Sequence, residues 1–302
     1  MRQTVRMSLS PKIAAFVAIV GMVVGLLAGC TVTINVETGA PASTPTPAAV
    51  TPPPIPPPDA AVRPCSAEIG QDDDLQAALD AARPGDVVCL DGGRYAPDET
   101  LVASHDGTQD GPITLRSRPG ALATIMGPDS DPAMELNATW WILTDLEFTG
   151  GDILLRLNRA ADNLITRSLF HDAGGECVRI RDQSQRNTFS VNRVWNCGRE
   201  GFDLAQDSKN GEGVYVGTAP EQRDRIGGVP DESTDNVIER TWFHTDGSEA
   251  VDIKEDSERN LVRANVGSGS RDPEGAIFGS RGDGNVFGDN EASGGDGAGP
   301  GR

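Results

Sequence analysis

Five polar side chains alternate with apolar ones in three short stretches of this 302-residue chain: Arg179 and Arg181 in "CVRIR", Tyr215 in "GVYVG", and Asp252 and Lys254 in "AVDIK". In a strand such alternation sends the polar set to one face and the apolar set to the other. The outward set would combine guanidinium groups able to grip a planar carboxylate with an amine able to move a proton. Segments on both sides of "GVYVG" add Asp203, Asp207, Lys209, Asp224 and Arg225. Several aspartates brought together could supply the roughly six to eight oxygens that a calcium ion takes. The plainer reading of Asp252 and Lys254 is a surface ion pair, and Arg179 and Arg181 are equally readable as partners for local acids. An adjacent carboxylate also favours the ammonium form of Lys254 and weakens it as a base, unless a cation occupies the carboxylate.

These residues are useful only if something brings them together, and the sequence supplies a repeat. Asparagine followed by apolar residues recurs at 163, 187, 236, 260 and 285, at spacings of 24, 49, 24 and 25. A fixed period in this range marks a solenoid. A glutamate leads a second strand in each unit, at 176, 212, 249 and 274. On this alignment the pairs 178/180, 214/216 and 251/253 face the core. Arg179, Tyr215, Asp252 and Ile277 face out, followed by Arg181, Gly217, Lys254 and Gly279. Stacked asparagines would hydrogen-bond along the axis, as side-chain ladders do in stacked sheets.

One coil is irregular. Asn187 to Glu212 spans 25 residues where other coils have about 13, and Glu212 to Asn236 spans 24 where others have 11. Two long insertions at one rung would wall a groove, and long loops on a rigid scaffold are commonly functional. "EGFDL" (200–204) is alternatively an irregular rung of its own. The column Glu176–Glu212–Glu249–Glu274 would place like charges ~4.8 Å apart. That costs roughly 3 kcal/mol per contact at an effective dielectric near 20. Protonation, arginines, backbone donors or a cation must compensate, and a turn-forming ladder on backbone NH groups is the plainest form. His171 and His244 share a register with Trp195 between them, which suits stacking better than a shared metal. "RGD" at 281–283 resembles a cell-adhesion tripeptide, a poor fit to a glycine-rich turn.

The start of the domain, "DDDLQAALDAARPGDVVCLDGGRY", reads as an aspartate-capped helix with Leu75, Ala78, Leu79 and Ala82 on one face, then a buried strand. Such a helix would cover the open end of the solenoid. No covering element is evident before the glycine-rich tail at 291–302. "LQAALDAARPGDVVCLDGGRY", "GPITLRSRPGALATIMG" and "WWILTDLEF" resemble the opening of pectate-lyase-like right-handed parallel β-helices, a likeness that extends over 65–290. The resemblance implies an all-β solenoid of ~24-residue coils and a fold that hosts lyases, hydrolases, epimerases and inert surface proteins. For a lyase it implies Ca²⁺ on carboxylates (Asp252, Asp203, Asp207, Asp224) neutralising a uronate, with a lysine or arginine removing the proton beside the carboxyl. Lys254 is the candidate base, with Arg179 and Arg181 assisting and Tyr215, Lys209 and Arg225 binding substrate. Two other readings stay open. One is a non-catalytic glycan-binding or surface-structural module. The other is a glycoside hydrolase using Asp203 or Asp207 with Asp252, which requires two carboxylates across the groove.

The flanking sequence bears on location. Arg2, Arg6 and Lys12 precede an apolar run ending in Leu27-Ala28-Gly29-Cys30. This describes a secretory signal more than a spanning helix, and it resembles a bacterial lipobox, with Cys30 as the lipidated first residue of the mature chain. Residues 40–64 hold ten of the 21 prolines and suit an extended stalk of up to roughly 75 Å. Removing the signal takes the net charge from −19 to −22, which disfavours nucleic acid as a partner. An exported monomer, anchored at the outer face of the cytoplasmic membrane and meeting polysaccharide or cell-surface glycan, is the expectation. Cys65, Cys89, Cys177 and Cys197 form an even set suited to disulfides. Local spacing favours Cys65–Cys89 and Cys177–Cys197, although three connectivities are open.

Overall fold

The computed structural model describes residues 53–54 and 63–293. The signal segment, Cys30, nearly all of the proline-rich stretch and residues 294–302 lie outside the described residues. The described chain is a right-handed parallel β-helix. Successive coils each give one strand to a nine-stranded, an eight-stranded and a seven-stranded sheet. Leu164–Thr166, Leu169–His171 and Val178–Arg181 make one such coil, and Thr188–Ser190, Arg193–Trp195 and Val214–Val216 make the next.

The strands are three to five residues long because the chain must turn a corner after each. Two corners recur with positive φ on non-glycine residues: Asp162, Arg186, Asp235 and Arg259 at one, Asp145, Arg167, Val191, Arg240, Ala264 and Asp289 at the other. A left-handed residue costs roughly 1–2 kcal/mol, and the buried side chain just after the corner offsets it. Asn163, Asn187, Asn236, Asn260 and Asn285 form a continuous ladder, each Nδ2 donating to the next Oδ1 at 2.9–3.1 Å. The repeat predicts this ladder. It does not predict the second one, in which Ser168, Asn192, Thr241, Asn265 and Asn290 serve the other corner.

Inside, the alternating apolar residues stack coil on coil. Phe148 lies on Phe170 with ring centroids 4.9 Å apart, and Phe170 on Phe189 at 5.4 Å. The helix Leu75–Ala81 covers the N-terminal end, with Asp74 accepting from the Ala77 N–H at 2.9 Å. Its Gln76 bonds both the N–H and the C=O of Val102, the middle residue of the edge strand Leu101–Ala103. The cap thus satisfies the sheet edge that would otherwise invite pairing. Among the described residues no helix follows the last strand, Glu291–Ser293. Both expected disulfides, Cys65–Cys89 and Cys177–Cys197, are present.

The insertions settle the fate of "EGFDL". Phe202–Asp203 pairs antiparallel with Ser208–Lys209, so this segment is a small hairpin and not a rung. The second insertion carries the 3₁₀ helix Pro220–Ile226. Outside the helix, Pro53 and Pro54 accept hydrogen bonds from Arg193 on the eight-stranded sheet, at 2.9 and 3.0 Å.

Candidate active site

The outward face of the seven-stranded sheet carries the charged residues. Ladder register aligns Glu135, Arg156, Arg179, Tyr215, Asp252 and Gly279 on successive rungs. Two positions further along each rung come Asn137, Asn158, Arg181, Gly217, Lys254 and Arg281. The last rung corrects the sequence alignment. Phe278 pairs with Val251 and Gly279 with Asp252, so Arg281, and not Gly279, stands beside Lys254. Ile277 is fully buried. Glu274 leaves the glutamate column, and Ala276 takes its place. The spacing of "EGAIF" misleads because it takes the glutamate as the register mark, while the inward, buried Phe278 and Ser280 and the terminal cation Arg281 keep the true register.

Val178, Val214, Val251 and Phe278 anchor these strands in the core, which fixes what the outward side chains can reach. Asp252 is the hub. Its Oδ2 accepts from Lys254 Nζ at 2.5 Å, and Arg281 Nη1 lies 3.1 and 3.0 Å from its two oxygens. Tyr215 sits between two cations, with Arg179 Cζ 4.0 Å and Lys254 Nζ 4.4 Å from its ring centroid. Arg179 pairs with Glu176, and its Nη2 donates to Gln222 of the second insertion at 3.3 Å. Gly211 N–H donates to Glu212 at 2.9 Å, and Ser248 donates to Glu249.

Four carboxyl groups, Glu176, Glu212, Glu249 and Asp252, therefore face three cations, Arg179, Lys254 and Arg281. The imbalance falls on Glu212. Burial, and then the charges of Glu176 and Asp252, push its carboxyl up to about 8, so it holds a proton at neutral pH and the cluster is balanced. Burial and Asp252 likewise raise Glu249. Compensation by protonation and arginines is thus the form the glutamate column takes. Burial works against a charged Lys254, but the charge and hydrogen bond of Asp252 outweigh it and hold the ammonium form. Burial pushes the Tyr215 phenol up to about 12, against the pull of Arg179 and Lys254.

Calcium does not fit this arrangement. One oxygen each from Glu212, Glu249 and Asp252 lie within 4.8 Å of one another, but three oxygens are about half of what calcium takes. Both Asp252 oxygens already accept from Lys254 and Arg281. The expected ligands are dispersed: Asp203 caps the 3₁₀ turn Leu204–Gln206, Asp207 closes it with φ 56°, and Asp224 lies exposed on Pro220–Ile226. Among the described residues none of the three belongs to the Glu212–Glu249–Asp252 group.

Other expectations change in the same way. Arg179 is buried beneath Gln222 and braces Tyr215, so it is not an open clamp. Lys209 donates to Asp272 and Glu274 at 3.0 and 2.8 Å, tying the first insertion to a later coil. Arg225 is exposed on the second insertion. Arg281, hidden inside "RGD", is the site residue the sequence reading missed, and its bond to Asp252 occupies that tripeptide. Arg181 does face the same surface. His171 stacks on Trp195 at 4.2 Å, as its register predicts, while His244 stacks on Trp242 at 6.1 Å.

No protein-family model matches the chain, and no curated protein matches it. Solved structures do. An alginate lyase from Paenibacillus sp. strain FPU-7 is 24% identical with TM-score 0.65, over 76% of each chain. Pectate lyase Pel9A is 13% identical with TM-score 0.57, over 76% of this chain and 62% of its own. The ORF18 protein of Geobacillus virus E2 is 12% identical with TM-score 0.54, over 71% of this chain and 44% of its own. At these identities the likeness establishes architecture: the chain has the fold of the pectate-lyase-like parallel β-helices, whose solved members include alginate and pectate lyases.

Proposed function

We propose that the protein is a polysaccharide lyase that cleaves an acidic, uronate-containing glycan by β-elimination. The observation that carries this reading is the packing of Lys254 against Tyr215, with Asp252 and Arg281 beside them, on the outward face of one sheet. β-Elimination needs a cation on the uronate carboxylate, a base for the proton next to it, and an acid for the departing glycosidic oxygen. Arg281 suits the first role, since among the described residues its guanidinium is engaged through Nη1 alone. Lys254 suits the second once it has released a proton, and Arg281 offsets part of the Asp252 charge that holds that proton. Tyr215, protonated across the working range, suits the third. As Lys254 takes the proton, the electron pair forms the new double bond and the glycosidic C–O bond breaks. Tyr215 then passes its proton to the leaving oxygen.

A non-catalytic glycan-binding module is the second reading. Lys254 is only 8% exposed and ion-paired, which favours it. Turnover of a uronan panel separates the two, read as ultraviolet absorbance of the new double bond. Lys254→Ala and Tyr215→Phe each lose turnover if the lyase reading holds, and a flat trace from the unsubstituted protein leaves the binding module. Calcium is the alternative to Arg281 as the carboxylate's partner, and EDTA tests it: turnover persists in EDTA on this account. The two disulfides support a site of action outside the cytoplasm, and anchoring through Cys30 is part of the same proposal.

A further inference from the structure

Arg181 stands apart from its neighbours on the seven-stranded sheet. Arg156 pairs with Glu135, Arg179 with Glu176 and Arg281 with Asp252. Arg181 Nε donates to Asn158 Oδ1 at 2.9 Å, and no described residue accepts from its two Nη groups. The side chain lines a cavity of about 370 Å³ with Glu135, Asn137, Asn158, Arg159 and Asp182. The other charges of that cavity are matched, Glu135 by Arg156 and Asp182 by Arg159 at 2.9 Å. One positive charge is left over. Burial first, and then the charges of Arg156 and Arg179, draw the Arg181 guanidinium down to about 10, against the pull of Glu135 and Asp182.

The orientation of this group is fixed from behind. Asn158 Nδ2 donates to Asn137 Oδ1 at 3.0 Å, and Asn137 Nδ2 donates to Glu135 at 3.1 Å. That row holds the Nε edge, leaving the two Nη groups for a planar acceptor, which a carboxylate matches in bidentate fashion. Arg181 and Lys254 share a row two rungs apart, about 10 Å at ~4.8 Å per rung. A group bound at Arg181 therefore belongs to a different sugar from the one that meets Lys254.

We propose that this cavity is a second carboxylate subsite, in which Arg181 grips the carboxylate of a uronate unit away from the cleavage point. It rests on the reading of the substrate as a uronan and extends that reading to a polymer that is acidic at more than one unit. The test compares full-length protein with Arg181→Gln, using short and long oligouronates. Loss of a charged bidentate contact raises KM for the long substrates roughly tenfold to a hundredfold and leaves kcat within about threefold. An equal loss of kcat with unchanged KM would instead give Arg181 a part in the transition state and overturn the subsite. Binding is also measured by calorimetry in the Lys254→Ala background, where no turnover intervenes. If Arg181→Gln weakens binding there while no protein turns over, the lyase reading fails and the subsite stands. If it leaves binding unchanged, or no uronan binds at all, the subsite falls. Arg259→Gln, a remote surface change, leaves affinity as it was. A sulfated galactan without carboxylates competes weakly, and competition equal to the oligouronate would refute carboxylate recognition.

Discussion

Replacing Glu212 by glutamine should flatten the pH dependence of stability between about pH 5 and pH 8. The carboxyl is pushed up to about 8 in the folded protein by burial and by the charges of Glu176 and Asp252, against an ordinary value near 4.5 in the unfolded chain. Between those values the folded state binds more protons than the unfolded state, so stability falls as pH rises. At about 1.4 kcal/mol per unit, integrating between an unfolded value near 4.5 and a folded value of about 8 gives a loss on the order of 3–4 kcal/mol from pH 5 to pH 8. Glutamine keeps the shape and an oxygen for the Gly211 N–H but cannot ionise. Urea unfolding followed by circular dichroism at pH 5, 6, 7 and 8 measures the effect. The unsubstituted protein should lose midpoint steadily over this range, and Glu212→Gln should lose much less. His171 also contributes to both proteins. Burial opposes its charged form, but the hydrogen bonds it donates to Glu147 and Asp172 outweigh that and raise it, so its stabilisation is likewise lost as pH rises. It cancels in the comparison. Parallel pH slopes in the two proteins would refute protonation as the means by which the carboxyl cluster is balanced.

Other consequences follow from the same geometry. Activity should climb with pH above neutrality, close to tenfold per unit below the raised value of Lys254, because the amine must shed a proton to act as base; a rate that falls with pH excludes Lys254 from that role. Asn236→Ala should cost roughly 3 kcal/mol or more in a urea titration, since it strands the Asn187 N–H, a ladder amide and the Ser184 carbonyl in a fully buried position. A loss below about 1 kcal/mol would mean the ladder is not what supports the corner. Turnover in EDTA should match turnover in calcium, and a return of activity only on adding calcium would move the carboxylate's partner from Arg281 to a metal.

Much of the fold was legible because a solenoid writes its geometry as a period. The asparagines at 163, 187, 236, 260 and 285 mark one corner, and the same ladder appears in the structure. The second ladder escaped because serine and threonine alternate with asparagine there and blur the repeat. The site was half legible. Alternation placed Tyr215, Asp252 and Lys254 on one face, since the inward valines and isoleucines leave no other choice. Arg281 was missed because glutamate was taken as the register mark, although Glu274 is pulled outward to meet Lys209. The insertions were located by counting, but their aspartates were not, because an exposed loop has no period to constrain it. That Glu212 carries a proton depends on burial and on neighbours from three coils, and spacing alone records neither.

The most direct test of the central claim is continuous ultraviolet absorbance during incubation of full-length protein and Lys254→Ala with polymannuronate, polyguluronate and polygalacturonate. The account predicts a rise on at least one of these uronans for the unsubstituted protein and none for Lys254→Ala, with both proteins equally folded by circular dichroism. Equal rises from the two proteins, or no rise on any uronan, would contradict it.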